Sequence, residues 1–313
     1  MARQWIAHRP GGPETWAFDT VDTAPPATGE VTIRVRAAGV NPADVKHVQH
    51  PRPGLSFPVP IGYEVSGELV AVGDGAVLAS GERATVGDEV LAFRVQGGYA
   101  TEITVPSQKV LRKPGNLSHA EAANLLLAGT TAAEMLAVVE ASQGDTILLH
   151  GASGAVGVAA IQLARQQGLR VVGTASPASF DRVTRFGAEA VAYGDGLLQR
   201  LHELVGETRF AAALDAVGTD EALDVSEALV HDRRRIVTIA APDRARADGL
   251  RWIAGALPDS ARFRDAERGR LVELAAAGEL VVPVARTYPL AAAPDALREV
   301  TAGHPGGKIA VLA

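Results

Sequence analysis

The sequence predicts an α/β protein in which a β-rich segment precedes a doubly wound parallel sheet. Three observations carry that prediction. From Asp145 onward, short apolar runs alternate with helical patterns, as strands and crossover helices do in a parallel sheet. The run Ile147-Leu148-Leu149-His150 ends in the glycine-rich turn Gly151-Ala152-Ser153-Gly154-Ala155-Val156-Gly157, and a helical pattern follows at once. Ahead of Ser118 the texture is different, with alternating apolar and polar residues bounded by Gly and Pro.

Each element follows from its pattern. Val31 to Arg36 alternates as a half-buried strand does, and Val65–Val72 and Asp88–Phe93 are strand-like runs flanked by glycine. Pro51, Pro53, Pro58 and Pro60 hold the region between in extended or turn conformations. Ser118-His119-Ala120-Glu121 is a capping box that opens Ala-rich helical sequence. Thr146–His150 is a strand, and Gly154–Gln167 is a helix with Val156, Ala159, Ala160 and Leu163 on one face. Val171–Ala175 is a strand, followed by a helix to Phe186. Ala190–Tyr193, Ala211–Ala216 and Arg235–Ala240 are further strands. The tail reads as helix at Leu271–Ala277, strand at Leu280–Val284, helix at Asp295–Thr301 and strand at Lys308–Leu312, packing back onto the N-terminal segment.

Composition bounds the rest. A chain of 313 residues exceeds the usual single core of about 100–200 residues, so two domains are expected. Net charge is −6 and the pI is about 5.8, which offers no basic footprint for nucleic acid. Cysteine is absent, which removes disulfides, thiolate metal sites and cysteine nucleophiles. Met1–His8 has no apolar leader, and no run reaches the ~18 apolar residues of a membrane span. A cytoplasmic protein without membrane or nucleic-acid partners is the simplest expectation.

The glycine turn carries the chemistry. Gly151, Gly154 and Gly157 are spaced G-x-x-G-x-x-G, between a buried-type strand and a helix start. Bare N–H groups at a helix start attract a pyrophosphate, and glycines let the backbone approach it. The alternative is a tight turn whose glycines serve packing alone. A nucleophile elbow around Ser153 needs glycine where Ala155 stands. A site for NAD places an acid about 20 residues on, but Gly173-Thr174-Ala175-Ser176 has none. Ser176, Ser179, Arg182 and Arg185 suit a 2′-phosphate, so the expected cofactor is NADPH. The alternative for both arginines is a solvated helix position.

Several blocks, in order along nearly the whole chain, resemble the medium-chain dehydrogenase/reductase superfamily, in its zinc-independent quinone oxidoreductase branch. They are Ala38-Gly39-Val40-Asn41-Pro42-Ala43-Asp44, Pro60-Ile61-Gly62-Tyr63-Glu64-Val65-Ser66-Gly67, Gly97-Gly98-Tyr99-Ala100 and Leu127-Ala128-Gly129-Thr130-Thr131-Ala132. The glycine turn, Asp215-Ala216-Val217-Gly218 and Gly306-Gly307-Lys308 complete the set. The resemblance implies a GroES-like catalytic domain, residues 1–118 and 256–313, split around a Rossmann NADP-binding domain, residues 119–255. It also implies a homodimer or homotetramer. Zinc relatives carry Cys where this chain has Asn41 and Gly-His-Glu where it has Gly62-Tyr63-Glu64, so the resemblance implies no metal. His47 and His50 form a possible imidazole pair, but a catalytic zinc wants three protein ligands, and loop residues are the expected reading.

By resemblance, Asn41 and Thr130 sit near the nicotinamide or the acceptor carbonyl, and Tyr63 joins them as a candidate catalytic residue. Lys46 and Tyr99 are further possible donors to a developing oxyanion, and Asp44 is a candidate turn cap. Tyr63 has the alternative of a packed aromatic, and Lys46 that of a surface charge. The pyrophosphate is expected on the amides of Ala155 and Val156, within the turn formed by Gly151, Ser153, Gly154 and Gly157. Thr174, Ser176, Ser179, Arg182, Tyr193, Val217, Ile239, Ala240 and Lys308 complete the expected cofactor-binding set. Trp252 and Phe263, in the Arg-rich stretch 241–264, are candidates for pocket lining or a small core. The implied function is hydride transfer from NADPH to quinones or other conjugated carbonyl acceptors such as enones. The alternatives are a non-catalytic NADPH-binding redox sensor and a narrow-specificity enoyl reductase.

Overall fold

The computed structural model describes every residue except Arg52, Pro53, Glu207, His304 and Pro305. The expectation for Pro53 therefore lies outside the described residues. The chain divides into two compact units: Met1–Leu127 with Gly269–Ala313, and Ala128–Arg268.

The first unit is β-rich. Its elements are β1 (Ala2–Ala7), β2 (Trp16–Val21), β3 (Glu30–Val40), α1 (Pro42–Gln49), β4 (Val59–Pro60), β5 (Glu64–Val72), β6 (Glu89–Phe93), β7 (Glu102–Pro106), β8 (Val110–Arg112) and α2 (His119–Ala122). α3 (Leu126–Val139) leads into the second unit. There, β9 (Thr146–His150), α4 (Ala155–Gln166), β10 (Arg170–Ala175), α5 (Phe180–Arg185), β11 (Glu189–Ala192), α6 (Leu197–Val205) and β12 (Phe210–Asp215) alternate. α7 (Asp220–Leu229), β13 (Ile236–Thr238), α8 (Pro242–Asp248) and β14 (Arg251–Trp252) follow. α9 (Pro258–Ala276) returns the chain to the first unit, which ends with β15 (Val284–Pro289), α10 (Ala293–Ala302) and β16 (Lys308–Leu312).

β3 is the spine of the first unit. Val31, Ile33 and Val35 face the core and Arg34 and Arg36 face solvent, as the alternation predicts. Thr32 is also buried, and its hydroxyl pairs with that of Thr104 across the β3–β7 ladder at 2.9 Å. The sheet runs β15-β16-β3-β5-β6-β8, with β7 also on β3, and a smaller sheet runs β2-β1-β4. β16 is antiparallel to β3, with Ile309 opposite Val40, so the chain's tail completes the N-terminal sheet. The capping box forms: Ser118 Oγ accepts from Glu121 N, and Glu121 Oε2 accepts from Ser118 N at 2.8 Å.

The second unit is a parallel sheet in the order β11-β10-β9-β12-β13-β14. β9 is buried along its whole length, which is why it reads as an unbroken apolar run. Leu148, Val172, Val191, Leu201, Phe210 and Ile236 build the core on one face.

Four expectations are corrected. His47 lies within α1 and His50 is its C-cap, so the pair is not on a loop. Leu280–Pro283 is not strand: β15 begins at Val284, where the ladder with β16 starts. α9 begins at Pro258, well ahead of Leu271, because its Arg- and Asp-rich first turns carry little apolar periodicity. Tyr193 lies past the end of β11, and Ile239 and Ala240 past the end of β13. Among the described residues, no helix is long and apolar enough to cross a membrane.

Candidate functional site

The glycine turn sits at the carboxyl end of β9, the central strand of the parallel sheet. Gly151 has φ +78°, which L side chains rarely adopt, and a Cβ there would lie 2.9 Å from Val217 Cγ1. Gly157 has no room: a Cβ would lie 2.3 Å from the Gly151 carbonyl oxygen and 2.7 Å from Ala152 Cα. That contact brings the start of α4 directly onto the turn. Gly154, the N-cap of α4, provides no side-chain cap. The first-turn amides, Ala155 to Gly157, therefore have no intrahelical acceptor. The Ala152 amide donates to the Thr174 carbonyl at 3.1 Å and ties the turn to the end of β10.

Ser176 and Ser179 follow β10 and are half-buried, with their hydroxyls 3.2 Å apart. Arg182 stands one turn further on, and its Nη1 donates to the Ser153 carbonyl at 3.4 Å. The structure thus brings Ser153, Ser176, Ser179 and Arg182 together beside the turn. Arg185 points elsewhere, over the ring of Phe186. Tyr193 is half exposed, on a loop whose carbonyls at Ala192 and Gly194 are held by Arg200.

Of a buried polar row at the strand ends, sequence reasoning assigned a role only to Thr174. His150, Thr174, Asp215 and Thr238 are the last or next-to-last residues of β9, β10, β12 and β13, and all are buried. His150 Nδ1 lies 3.2 Å from Thr174 Oγ1, and its Nε2 is buried without a hydrogen-bond partner. Burial pushes the imidazole down to a pKa of about 4, against the opposing pull of Asp215. The sequence signal was a polar residue within or at the end of each apolar run.

In the first unit, Asn41 and Lys308 meet because β16 pairs with β3. Lys308 Nζ donates to Asn41 Oδ1 at 2.5 Å and lies 3.3 Å from the Val40 carbonyl and 3.4 Å from Glu64 Oε1. Asn41 Nδ2 donates to the same Glu64 oxygen at 2.9 Å, and the Leu127 amide donates to the other at 3.0 Å. Asn41 and Lys308 are both buried, with their side chains directed to one another. Asn41 also caps α1, with its amide donating to Asp44 Oδ2 at 2.8 Å. Tyr99 Oη donates to that oxygen at 2.8 Å, while Asp44 Oδ1 is buried without a partner. Burial raises the Asp44 carboxyl to a pKa of about 7, over the lowering effects of Tyr99 and the Asn41 amide. Desolvation raises the Tyr99 hydroxyl well above its ordinary value, and Asp44 adds to the rise. Tyr63 is half-buried with its ring tilted against His47, 5.0 Å between centroids. Lys46 is exposed. Thr130 lies buried in α3 of the second unit. Trp252 is one-third exposed on β14, and Phe263 is half-buried on α9. Among the described residues, no group of three or more His, Cys, Asp or Glu side chains could hold a metal ion.

Comparison with known proteins gives two family matches. The Alcohol dehydrogenase GroES-like domain family matches residues 27–115, and the Zinc-binding dehydrogenase family matches residues 186–311. A quinone oxidoreductase of Pseudomonas aeruginosa is 33% identical over 67% of this chain and 65% of its own length. A trans-enoyl reductase of Trichoderma harzianum is 34% identical over 51% of this chain and 48% of its own. The chain thus aligns with less than two thirds of either relative. A mycobacterial protein solved in complex with NADPH superimposes with a TM-score of 0.84 at 28% identity, over 99% of this chain and all of that one.

Proposed function

The chain belongs to the medium-chain dehydrogenase/reductase family, in its quinone oxidoreductase branch, and from that premise we propose that it is an NADPH-dependent reductase of quinones or other conjugated carbonyl compounds. The observation that carries this reading is the glycine turn. A left-handed Gly151, a Gly157 with no space for a methyl group and an open helix start fit a pyrophosphate. The amides of Ala155 and Val156 receive it. Ser176, Ser179 and Arg182 receive the 2′-phosphate, with no carboxylate among them. The NADPH complex of the mycobacterial neighbour supports the same cofactor.

Bound NADPH supplies a hydride, which carries both electrons of the reduction. The acceptor's oxygen then needs a proton, which comes from water or from a donor such as Tyr63 Oη. The remaining work of the protein is position and electrostatics. A metal-free reaction is part of the proposal. The chain has no cysteine, and the oxygens of Asn41 and Glu64 are already held by the Lys308 ammonium. A zinc ion there would meet a positive charge and an amide in place of thiolate and imidazole donors. The trans-enoyl reductase relative favours a second reading, in which the acceptor is a single conjugated enone.

The cofactor assignment is tested by titrating NADPH and NADH against the wild type and Ser176→Asp. The new carboxylate should weaken NADPH binding by at least about tenfold through like-charge repulsion and leave NADH nearly unchanged. Equal loss of both would contradict the phosphate site.

A further inference from the structure

We infer that Asp215 and Thr238 form a buried clamp that shapes the half of the dinucleotide site remote from the 2′-phosphate; this rests on the dinucleotide reading above. Neither residue is solvent-exposed, so they act as positioning residues. The sheet topology sets the geometry. From β9 the chain runs outward to β10 and β11, then crosses back to β12, β13 and β14 on the other side. The carboxyl ends of β9 and β12 therefore flank the switch point, where ligands of such sheets bind. Ser176, Ser179 and Arg182 occupy the β10 side. The rest of an extended dinucleotide must lie over the loops that follow β12 and β13, which carry Val217, Ile239 and Ala240.

Those two loops are fixed by one carboxylate and one hydroxyl. Asp215 Oδ1 accepts from the amides of Val217 at 3.0 Å and Gly218 at 2.9 Å. Its Oδ2 accepts from the Gly218 amide at 3.1 Å and from Thr238 Oγ1 at 2.6 Å. The Thr238 oxygen in turn accepts from the amides of Ala240 and Ala241, both at 3.1 Å. The hydroxyl thus uses its one donor and both acceptor positions. The loops also touch. Gly218 has φ +75°, and a Cβ there would lie 2.8 Å from Ala240 Cβ, as one on Gly151 would lie 2.9 Å from Val217 Cγ1. Glycine turn, first loop and second loop are therefore packed in series, with Asp215 and Thr238 behind them. Removing the Thr238 hydroxyl leaves the Ala240 and Ala241 amides without their acceptor and Asp215 Oδ2 with the Gly218 amide alone, and the loops reorganise.

The test is the dissociation constant of two ligands, NADPH and adenosine 2′,5′-bisphosphate, for the wild type, Thr238→Val and Thr238→Ser. Thr238→Val should weaken NADPH by about tenfold while changing the bisphosphate by less than about twofold, the scale of one or two lost hydrogen bonds. Thr238→Ser, which keeps the hydroxyl, should rescue NADPH binding. A general loss of structure would weaken both ligands together, so equal losses overturn the clamp, as does unchanged NADPH binding in Thr238→Val. Should Thr238→Val lose its fold by circular dichroism, Asp215→Asn carries the same comparison with the same expected and overturning results. A wild type that binds no NADPH overturns the function reading itself, whereas wild-type binding with an indifferent Thr238→Val overturns the clamp alone.

Discussion

Asp44 keeps its proton to about pH 7 because its carboxyl is enclosed and one of its oxygens has no partner. The unfolded carboxyl titrates near 3.8. Between these values the folded chain binds the extra proton, so the stabilisation is complete below about pH 4 and is lost as pH rises through 7. Asp44→Asn keeps an oxygen that accepts from Tyr99 Oη and the Asn41 amide but cannot ionise. Urea unfolding of both proteins should show the wild type losing about 2–3 kcal/mol relative to the variant between pH 5 and pH 8. A constant difference would contradict the buried, protonated carboxyl. His150 works in the opposite sense. Its folded value near 4 lies below the ordinary 6.5, so its contribution is present above 6.5 and lost as pH falls through 4. That term cancels in the comparison. At this scale the sequence was partly legible. The glycines of the turn and the Ser176–Arg182 group announced themselves by spacing. The contact of Lys308 with Asn41 spans 267 positions and depends on a strand register, which no local pattern records. Thr238 sits inside the expected strand Arg235–Ala240, and only the fold shows three partners converging on its hydroxyl.

At the scale of the element, the contact of strand, turn and helix around β9 is the part most sensitive to a single methyl group. In Gly157→Ala the new Cβ meets backbone atoms of Gly151 and Ala152, which cannot rotate away. The cost should be about 2–3 kcal/mol, typical of overpacking, with loss of NADPH binding. Gly154→Ala meets only the Gly151 carbonyl oxygen, at 3.3 Å, and has no positive φ to strain. It should cost less than about 1 kcal/mol, within the range of tolerated small changes. Thermal unfolding with and without NADPH separates the two variants, and a reversed order would contradict the packing of α4 on the turn. Boundaries were legible where composition and burial agree, as in β9 and β16, whose ends match their apolar runs. They failed at Leu280–Pro283, where Leu280 and Val282 are buried without a ladder partner. There, apolar residues fill a core as coil, and alternation alone cannot distinguish that from a strand.

At the scale of the molecule, the chain makes two units, each with its own core, and the tail supplies a strand to the first unit's sheet. The order of motifs along the sequence was enough to expect this, because β-rich and alternating textures follow one another and then return. What the sequence leaves open is the acceptor, since one hydride donor serves many pockets. The most direct measurement is NADPH consumption by the wild type with a benzoquinone, a naphthoquinone, phenanthrenequinone and a simple enone, repeated with NADH and with a metal chelator. The expected result is turnover with at least one acceptor, faster with NADPH than with NADH and indifferent to the chelator. Tight NADPH binding with no turnover of any acceptor, or turnover abolished by the chelator, would contradict a metal-free NADPH-dependent reductase.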